Sequence, residues 1–183
     1  MHFPLMIDLE SRPCLVVGGG KVAARKVAAL LDFGAAVTVV APEMLPEIVA
    51  TGCRLVQRPF ADTDVSGMTL VVSATNDSAT NACVAATCKA RGIPVNVVDD
   101  PPNCTFVFPA IFRKGPILAA VSSEGKCPVA AKIIRDRVAA SVSDDFVEAV
   151  ERLGEAREDL KRRFPDPQDR RRHCEEVLAK WNG

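Results

Sequence analysis

Several large classes of protein are excluded by what this sequence lacks. No apolar run approaches the roughly 18 residues a helix needs to span a bilayer. The first ten residues interrupt their apolar side chains with Pro4, Asp8 and Glu10, unlike a signal peptide. Excess charge is absent: 23 Lys and Arg balance 23 Asp and Glu, which argues against a nucleic-acid binder. Histidine is scarce, and His2 and His173 lie far apart, so no metal site is spelled out by ligand spacing. The seven cysteines (Cys14, Cys53, Cys83, Cys88, Cys104, Cys127, Cys174) are odd in number and contain no C-x-x-C, unlike a disulfide framework or structural zinc site. Neither a repeat nor a Gly/Ser linker interrupts the chain. The expectation is a cytoplasmic protein with no membrane or nucleic-acid partner, its cysteines mostly small buried residues.

What is present is a chain of 183 residues, 48% apolar, enough for one core domain with a small appendage. Half of residues 144–183 is charged, a density the rest of the chain does not reach. A compact apolar body followed by charged amphipathic helices is the expected order.

Strands are expected at Cys14–Val17, Ala36–Val40, Thr69–Ser73 and Ile93–Val98, largely apolar on both faces, with a further short strand at Arg54–Gln57. Helices are expected at Lys21–Phe33, stopped by Gly34, and at Ser78–Arg91, stopped by Gly92. Such alternation predicts an α/β, Rossmann-type parallel sheet covered on both sides. After Asp100-Pro101-Pro102 the pattern changes. Phe106–Phe108 and Ile117–Ser122 read as strands around a turn at Lys114-Gly115-Pro116. Pro128 opens a helix to Ser141, and Asp144 or Asp145 caps another carrying Phe146, Val150, Leu153 and Leu160. Pro165 and Pro167 break it, and a last helix presents Cys174, Val177, Leu178 and Trp181.

Gly18-Gly19-Gly20-Lys21-Val22-Ala23 fits G-x-G-x-x-A, follows a strand and opens a helix, which is the context a dinucleotide site requires. Gly18 permits a tight turn, Gly20 close approach of a pyrophosphate, and Ala23 close packing of helix on strand. Amides near Gly20, Lys21 and Val22 would face the phosphates. The second strand ends at Pro42-Glu43 with no Arg nearby to hold a 2′-phosphate, favouring NAD over NADP. Ala74-Thr75-Asn76-Asp77 follows the next strand, where Thr75 and Asn76 suit cofactor contacts and Asn76, Asp77 or Ser78 suits a helix cap. Asp99, before Asp100-Pro101, is either a turn former or a proton acceptor at the carboxyl edge. Ser122 to Pro128 is a polar loop that caps a helix or binds an anion.

Taken together these motifs resemble the precorrin-2 dehydrogenase and sirohydrochlorin ferrochelatase family, the N-terminal half of siroheme synthase. The resemblance rests on Pro4-Leu5-Met6, the run Cys14 to Ala23 with Arg25-Lys26, Ala74-Thr75-Asn76-Asp77, Asn96-Val97-Val98-Asp99 and Phe108-Pro109-Ala110. Ala120-Val121-Ser122-Ser123, Pro128 and Arg170-Arg171-Arg172 extend it in collinear order along nearly the whole chain. It implies NAD-dependent oxidation of precorrin-2 to sirohydrochlorin, with ferrous iron insertion to give siroheme in some members. It implies a Rossmann domain over 1–110, a small α+β dimerisation segment over 111–143 making a homodimer, and a helical region over 144–183 bordering the tetrapyrrole cleft. Asp99 matches the family's catalytic aspartate, and Lys21, Val22, Pro42 and Glu43 fall on its NAD-contact positions. Ser123 falls where some members carry a phosphorylatable serine.

Substrate carboxylates would be met by cations among Arg113, Lys114, Lys126, Lys132 and Arg135. The chain departs from the family at Gly125-Lys126-Cys127-Pro128, where Gly-Thr-Ser-Pro is usual. Lys126 adds a cation there, and Cys127 is either an isostere of Ser or a soft metal contact. Two other readings compete with the dehydrogenase: a chelatase alone, and a Rossmann module that senses NAD without turnover.

Overall fold

A computed structural model describes residues 2–180, and the chain divides into two compact units after Val107. The first unit is a five-stranded sheet in the order β3-β2-β1-β4-β5, every neighbouring pair parallel. Its strands are β1 (Pro13–Val17), β2 (Ala36–Val40), β3 (Arg54–Val56), β4 (Leu70–Ser73) and β5 (Val95–Val97). Helices α1 (Lys21–Leu31), the short α2 (Pro46–Val49) and α3 (Ser78–Ala90) connect them. The strand order reverses direction between β1 and β4, which creates a crevice at their carboxyl ends.

The sequence dictates this arrangement through burial on both faces. Cys14, Leu15, Val16 and Val17 of β1 are all buried, as are Leu70, Val71, Val72 and Ser73 of β4. A central parallel strand must be apolar throughout, because helices cover both of its sides. On α1 the buried residues are Ala23, Val27 and Leu30, spaced as one helical stripe. Each fully buried Val or Leu contributes about 1.5–3 kcal/mol.

The second unit carries a two-stranded antiparallel hairpin, β6 (Ala110–Lys114) and β7 (Ile117–Val121), with α4 (Pro128–Ser141) packed on it. Helices α5 (Asp144–Glu155), α6 (Arg157–Arg163) and α7 (Pro167–Ala179) follow. Among the described residues no helix is long and apolar enough to cross a membrane.

Four expectations are corrected. The strand expected at Phe106–Phe108 is instead Ala110–Lys114, whose register runs from Ala110 opposite Val121 to Lys114 opposite Ile117. Thr105 and Phe106 make isolated bonds to the Val95 carbonyl rather than a ladder, and Pro109 has no amide to give. The cap of α5 is Ser143, whose hydroxyl accepts from the Phe146 amide at 3.1 Å; Asp144 and Asp145 occupy the first turn. The helix expected to continue through Leu160 breaks at Ala156, which closes α5 and opens α6. Arg54–Gln57 and Ile93–Val98 are shorter as strands than expected. Trp181 lies outside the described residues.

Burial pushes the thiols of Cys14 and Cys88 up to about 11. A thiol reacts as its thiolate. Iodoacetamide at neutral pH should therefore modify the exposed Cys127 and leave Cys14 and Cys88 unlabelled until denaturant is added. Peptide mass mapping checks the order.

Candidate functional site: a glycine-turn cleft and the Asp99 loop

The crevice at the β1/β4 reversal is a cleft of roughly 510 Å³, within the usual range for a small-molecule site. Gly18, Gly19, Gly20, Pro42, Glu43, Thr75 and Asn76 line it, so the structure brings six of the expected cofactor residues together. Lys21 and Val22 are not among its lining residues; they offer the first amides of α1.

The three glycines do different work. Gly18 has φ +123°, and a Cβ there would sit 2.4 Å from the Ala74 carbonyl oxygen. At Gly19 a Cβ would meet the Glu43 carbonyl oxygen at 1.9 Å, and the Leu45 amide donates to the Gly19 carbonyl at 2.9 Å. Gly20 is different, since a Cβ there meets nothing within 4 Å and its backbone is extended. Packing within the chain does not require glycine at 20. The residue is also the N-cap of α1, and with no side chain it leaves the first-turn amides uncapped. An open space in front of uncapped amides at a helix N-terminus is what a pyrophosphate needs.

A polar network fixes the β4 side. The Ser73 and Thr75 hydroxyls donate to Asn81 Oδ1 at 2.7 and 2.9 Å, and Asn81 Nδ2 donates to the Thr75 carbonyl at 3.0 Å. Asp77 caps α3, accepting from the amides of Ala79 and Thr80, both at 3.1 Å. The Thr80 hydroxyl, followed by these amides, holds the Asp77 carboxyl below the usual range.

Pro59, Phe60 and Thr80 complete the lining, and no cation is among the lining residues. Arg58, next to Pro59, is held by Asp64 through bonds of 2.8 and 2.5 Å. Sequence reading missed Gly19, Asn81 and Phe60. A third glycine where the motif asks only for two was the available signal for Gly19; Asn81 and Phe60 carried none.

Asp99 lies in the tight turn after β5 and is exposed, with φ +60°. The turn is tied down on both sides. The Val98 amide donates to the Ser73 carbonyl at 2.9 Å and the Asp100 amide to the Val97 carbonyl at 3.3 Å. The Cys104 thiol accepts from the Val97 amide at 3.2 Å and donates to the Val97 carbonyl at 3.1 Å. A non-glycine residue keeps a left-handed backbone only when its surroundings over-determine it.

The remaining expected residues belong to the second unit. Arg113 on β6 and Lys126 before α4 are exposed. Ser123 is half buried, and its hydroxyl accepts from the Cys127 amide at 3.0 Å within a self-bonded turn. Lys114 is bonded to Asp144 at 2.8 Å and the Val142 carbonyl at 2.9 Å, and Arg135 to Asp136 at 2.6 Å. Among the described residues no group of three His, Cys, Asp or Glu could hold a metal ion.

The glycine analysis separates folding from binding. Gly20→Ala should leave the thermal midpoint unchanged while weakening NAD binding about tenfold or more, a loss near 1.4 kcal/mol. Gly19→Ala should destabilise the protein by about 1–3 kcal/mol, because backbone must move. Calorimetric titration and thermal denaturation of both variants check this.

A family described as "Putative NAD(P)-binding" matches residues 5–110. Siroheme synthase of Methylococcus capsulatus is 41% identical over 181 residues, covering 97% of this chain and 38% of that protein. Siroheme synthase of Methylobacillus flagellatus is 42% identical over 179 residues, 96% of this chain and 38% of that protein. The chain thus spans less than two-fifths of the length of these relatives. The solved structure of SirC, precorrin-2 dehydrogenase, superposes with a TM-score of 0.73 at 29% identity, covering 97% of this chain and 89% of that one. The resemblance and the Rossmann-type fold expected from the motifs are both borne out. With the strand–glycine turn–helix unit in place and the match running through β1 to β5, the chain belongs to this NAD(P)-binding family.

Proposed function

We propose that this chain oxidises precorrin-2 to sirohydrochlorin with NAD in siroheme biosynthesis. The observation that carries the proposal is Gly20: it is glycine where the fold tolerates a side chain, in front of uncapped helix amides, in a chain similar to siroheme synthases and a precorrin-2 dehydrogenase. NAD is favoured over NADP because no cation lines the cleft and Arg58 is engaged by Asp64. Gly18, Gly20 and the amides of Lys21 and Val22 would hold the pyrophosphate. Pro42, Glu43, Thr75 and Asn76 would flank the rest of the cofactor, with Pro59 and Phe60 as flat apolar walls.

When bound, the nicotinamide accepts hydride, two electrons and one proton. Oxidation removes two hydrogens, so a second proton must leave the macrocycle. Asp99, exposed at the end of β5, is the proposed acceptor and passes that proton to water. In a second step ferrous iron displaces two pyrrole protons, and the same carboxylate would take them; iron is a substrate here. Arg113, Lys126 and Ser123 are the proposed contacts to substrate carboxylates.

The proposed organisation is a cofactor domain over 1–110, a dimerisation segment over 111–143 and a helical region over 144–183. The segment 111–143 exposes Leu118, Val129, Ile133 and Ile134, and these exposed apolar side chains support a homodimer that covers them. A cytoplasmic location is proposed with it.

An anaerobic assay with enzymatically made precorrin-2 and NAD tests the reading, with ferrous iron added afterwards. NADH formation with the sirohydrochlorin spectrum is expected, and binding of NAD without any NADH would overturn it. Asp99→Asn should cut turnover by about 10²–10⁴-fold with NAD affinity retained. Full turnover in that variant would remove Asp99 from the mechanism.

A further inference from the structure

Thr75, at the tip of β4, divides its polar groups unequally. Its hydroxyl accepts from the Asp77 amide at 3.1 Å and donates to Asn81 Oδ1 at 2.9 Å, with the Asp77 carbonyl also in reach at 3.0 Å. Its carbonyl accepts from Asn81 Nδ2 at 3.0 Å. Its amide has no partner among the described residues. That amide lies beside the glycine turn, since a Cβ on Gly18 would stand 3.3 Å from the Thr75 nitrogen. The Ala74 amide, one residue earlier, is spent on the Val17 carbonyl at 2.8 Å. Thr75 thus keeps one uncommitted donor at the wall of the cleft.

Asn81 makes this division. It is half buried in the first turns of α3, where its own amide donates to the Asp77 carbonyl at 3.0 Å. Asn is a weaker helix former than Ala because its side chain competes for backbone groups. Here the side chain takes a backbone carbonyl from the strand end. Its orientation follows from its neighbours: turned over, Oδ1 would face the Thr75 carbonyl, acceptor against acceptor. The fully buried Ser73 adds a second hydroxyl to Oδ1 at 2.7 Å. Asn81 itself is not among the residues lining the cleft, so it acts through Thr75.

We propose that Asn81 is a positioning residue for the cofactor. By engaging the carbonyl and hydroxyl of Thr75, it presents the Thr75 amide as a donor to an acceptor oxygen of the dinucleotide. The inference rests on NAD being the ligand of this cleft. It adds a main-chain donor from β4 to the amides of α1, so the cofactor is gripped from both sides of the strand reversal.

Hydrogen exchange followed by NMR on the isotopically labelled chain reads the amide directly. NAD should slow exchange at Thr75 by about tenfold or more, while the bonded Ala74 amide stays slow with or without NAD. Calorimetric titration then compares three variants. Asn81→Ala removes the side-chain bonds, and Asn81→Asp keeps the shape but sets a carboxylate oxygen against the Thr75 carbonyl. Each should weaken NAD binding about tenfold, the worth of one hydrogen bond. Ser73→Ala removes the buried hydroxyl and leaves Asn81 on Thr75, so it should lower the thermal midpoint and keep NAD affinity within about twofold.

A Thr75 amide left unprotected in the NAD complex overturns the inference. So does wild-type affinity in Asn81→Ala, because a loss confined to Asn81→Asp would be charge repulsion alone. An equal loss in Ser73→Ala also overturns it, since the network would then serve folding only. If the wild-type chain binds no NAD, the cofactor reading itself fails, and that titration shows it without any variant. Should the Asn81 variants fail to fold, the exchange measurement on the wild-type chain decides.

Discussion

Backbone pressed against backbone at Gly18 and Gly19 is the contact on which the site depends. Gly18 approaches the strand tip at Ala74, and Gly19 approaches the segment after β2 at Glu43, at distances no side chain would allow. Hydrogen bonds follow the same lines. The Gly18 amide donates to the Val40 carbonyl at 2.9 Å and the Ala74 amide to the Val17 carbonyl at 2.8 Å. The carboxyl ends of β1, β2 and β4 are thereby stitched together around the turn. The cleft is shaped by main chain, which is stiffer than a wall of rotating side chains.

Two long helices of this unit begin at that edge, and they begin differently. Helix α3 is sealed by the Asp77 carboxylate, which satisfies the amides of Ala79 and Thr80. Helix α1 starts from Gly20 and has no side-chain cap. A sealed N-terminus has spent its free amides, and the acid beside it opposes a second anion. An unsealed one keeps both its donors and its partial positive charge. Capping chemistry, more than cleft volume, decides which helix can receive a phosphate.

The legibility of the sequence follows the same division. The parallel sheet was readable because Cys14–Val17 of β1 and Leu70–Val72 of β4 are buried on both faces, which leaves short apolar runs bounded by turn residues. Gly34 and Gly92 marked the helix ends correctly. The hairpin was misplaced by a few residues because Phe106-Val107-Phe108 is as apolar as a strand. Its pairing partner, not its composition, decided the register, and β7 pairs with Ala110–Lys114. The break at Ala156 was hidden by apolar spacing that runs smoothly from Phe146 to Leu160. In the cleft, the outer glycines, Pro42, Glu43, Thr75 and Asn76 were legible because they follow strand ends in sequence. Phe60 and Asn81 were not, since only the folded chain brings them to the edge.

Gly20 and Asp99 share a property that neither shows alone. At Gly20 the backbone is extended and the space is open, so local physics would accept any residue. At Asp99 the backbone is left-handed, a conformation that glycine, asparagine and aspartate adopt more readily than other residues. Ser11 and Glu124 adopt a similar conformation in polar turns, so positive φ by itself selects nothing. What distinguishes Gly20 and Asp99 is place: both sit at the carboxyl edge of one parallel sheet, where ligands of such sheets bind. Under the proposed function, the missing side chain at one would admit a phosphate and the carboxylate at the other would take a proton.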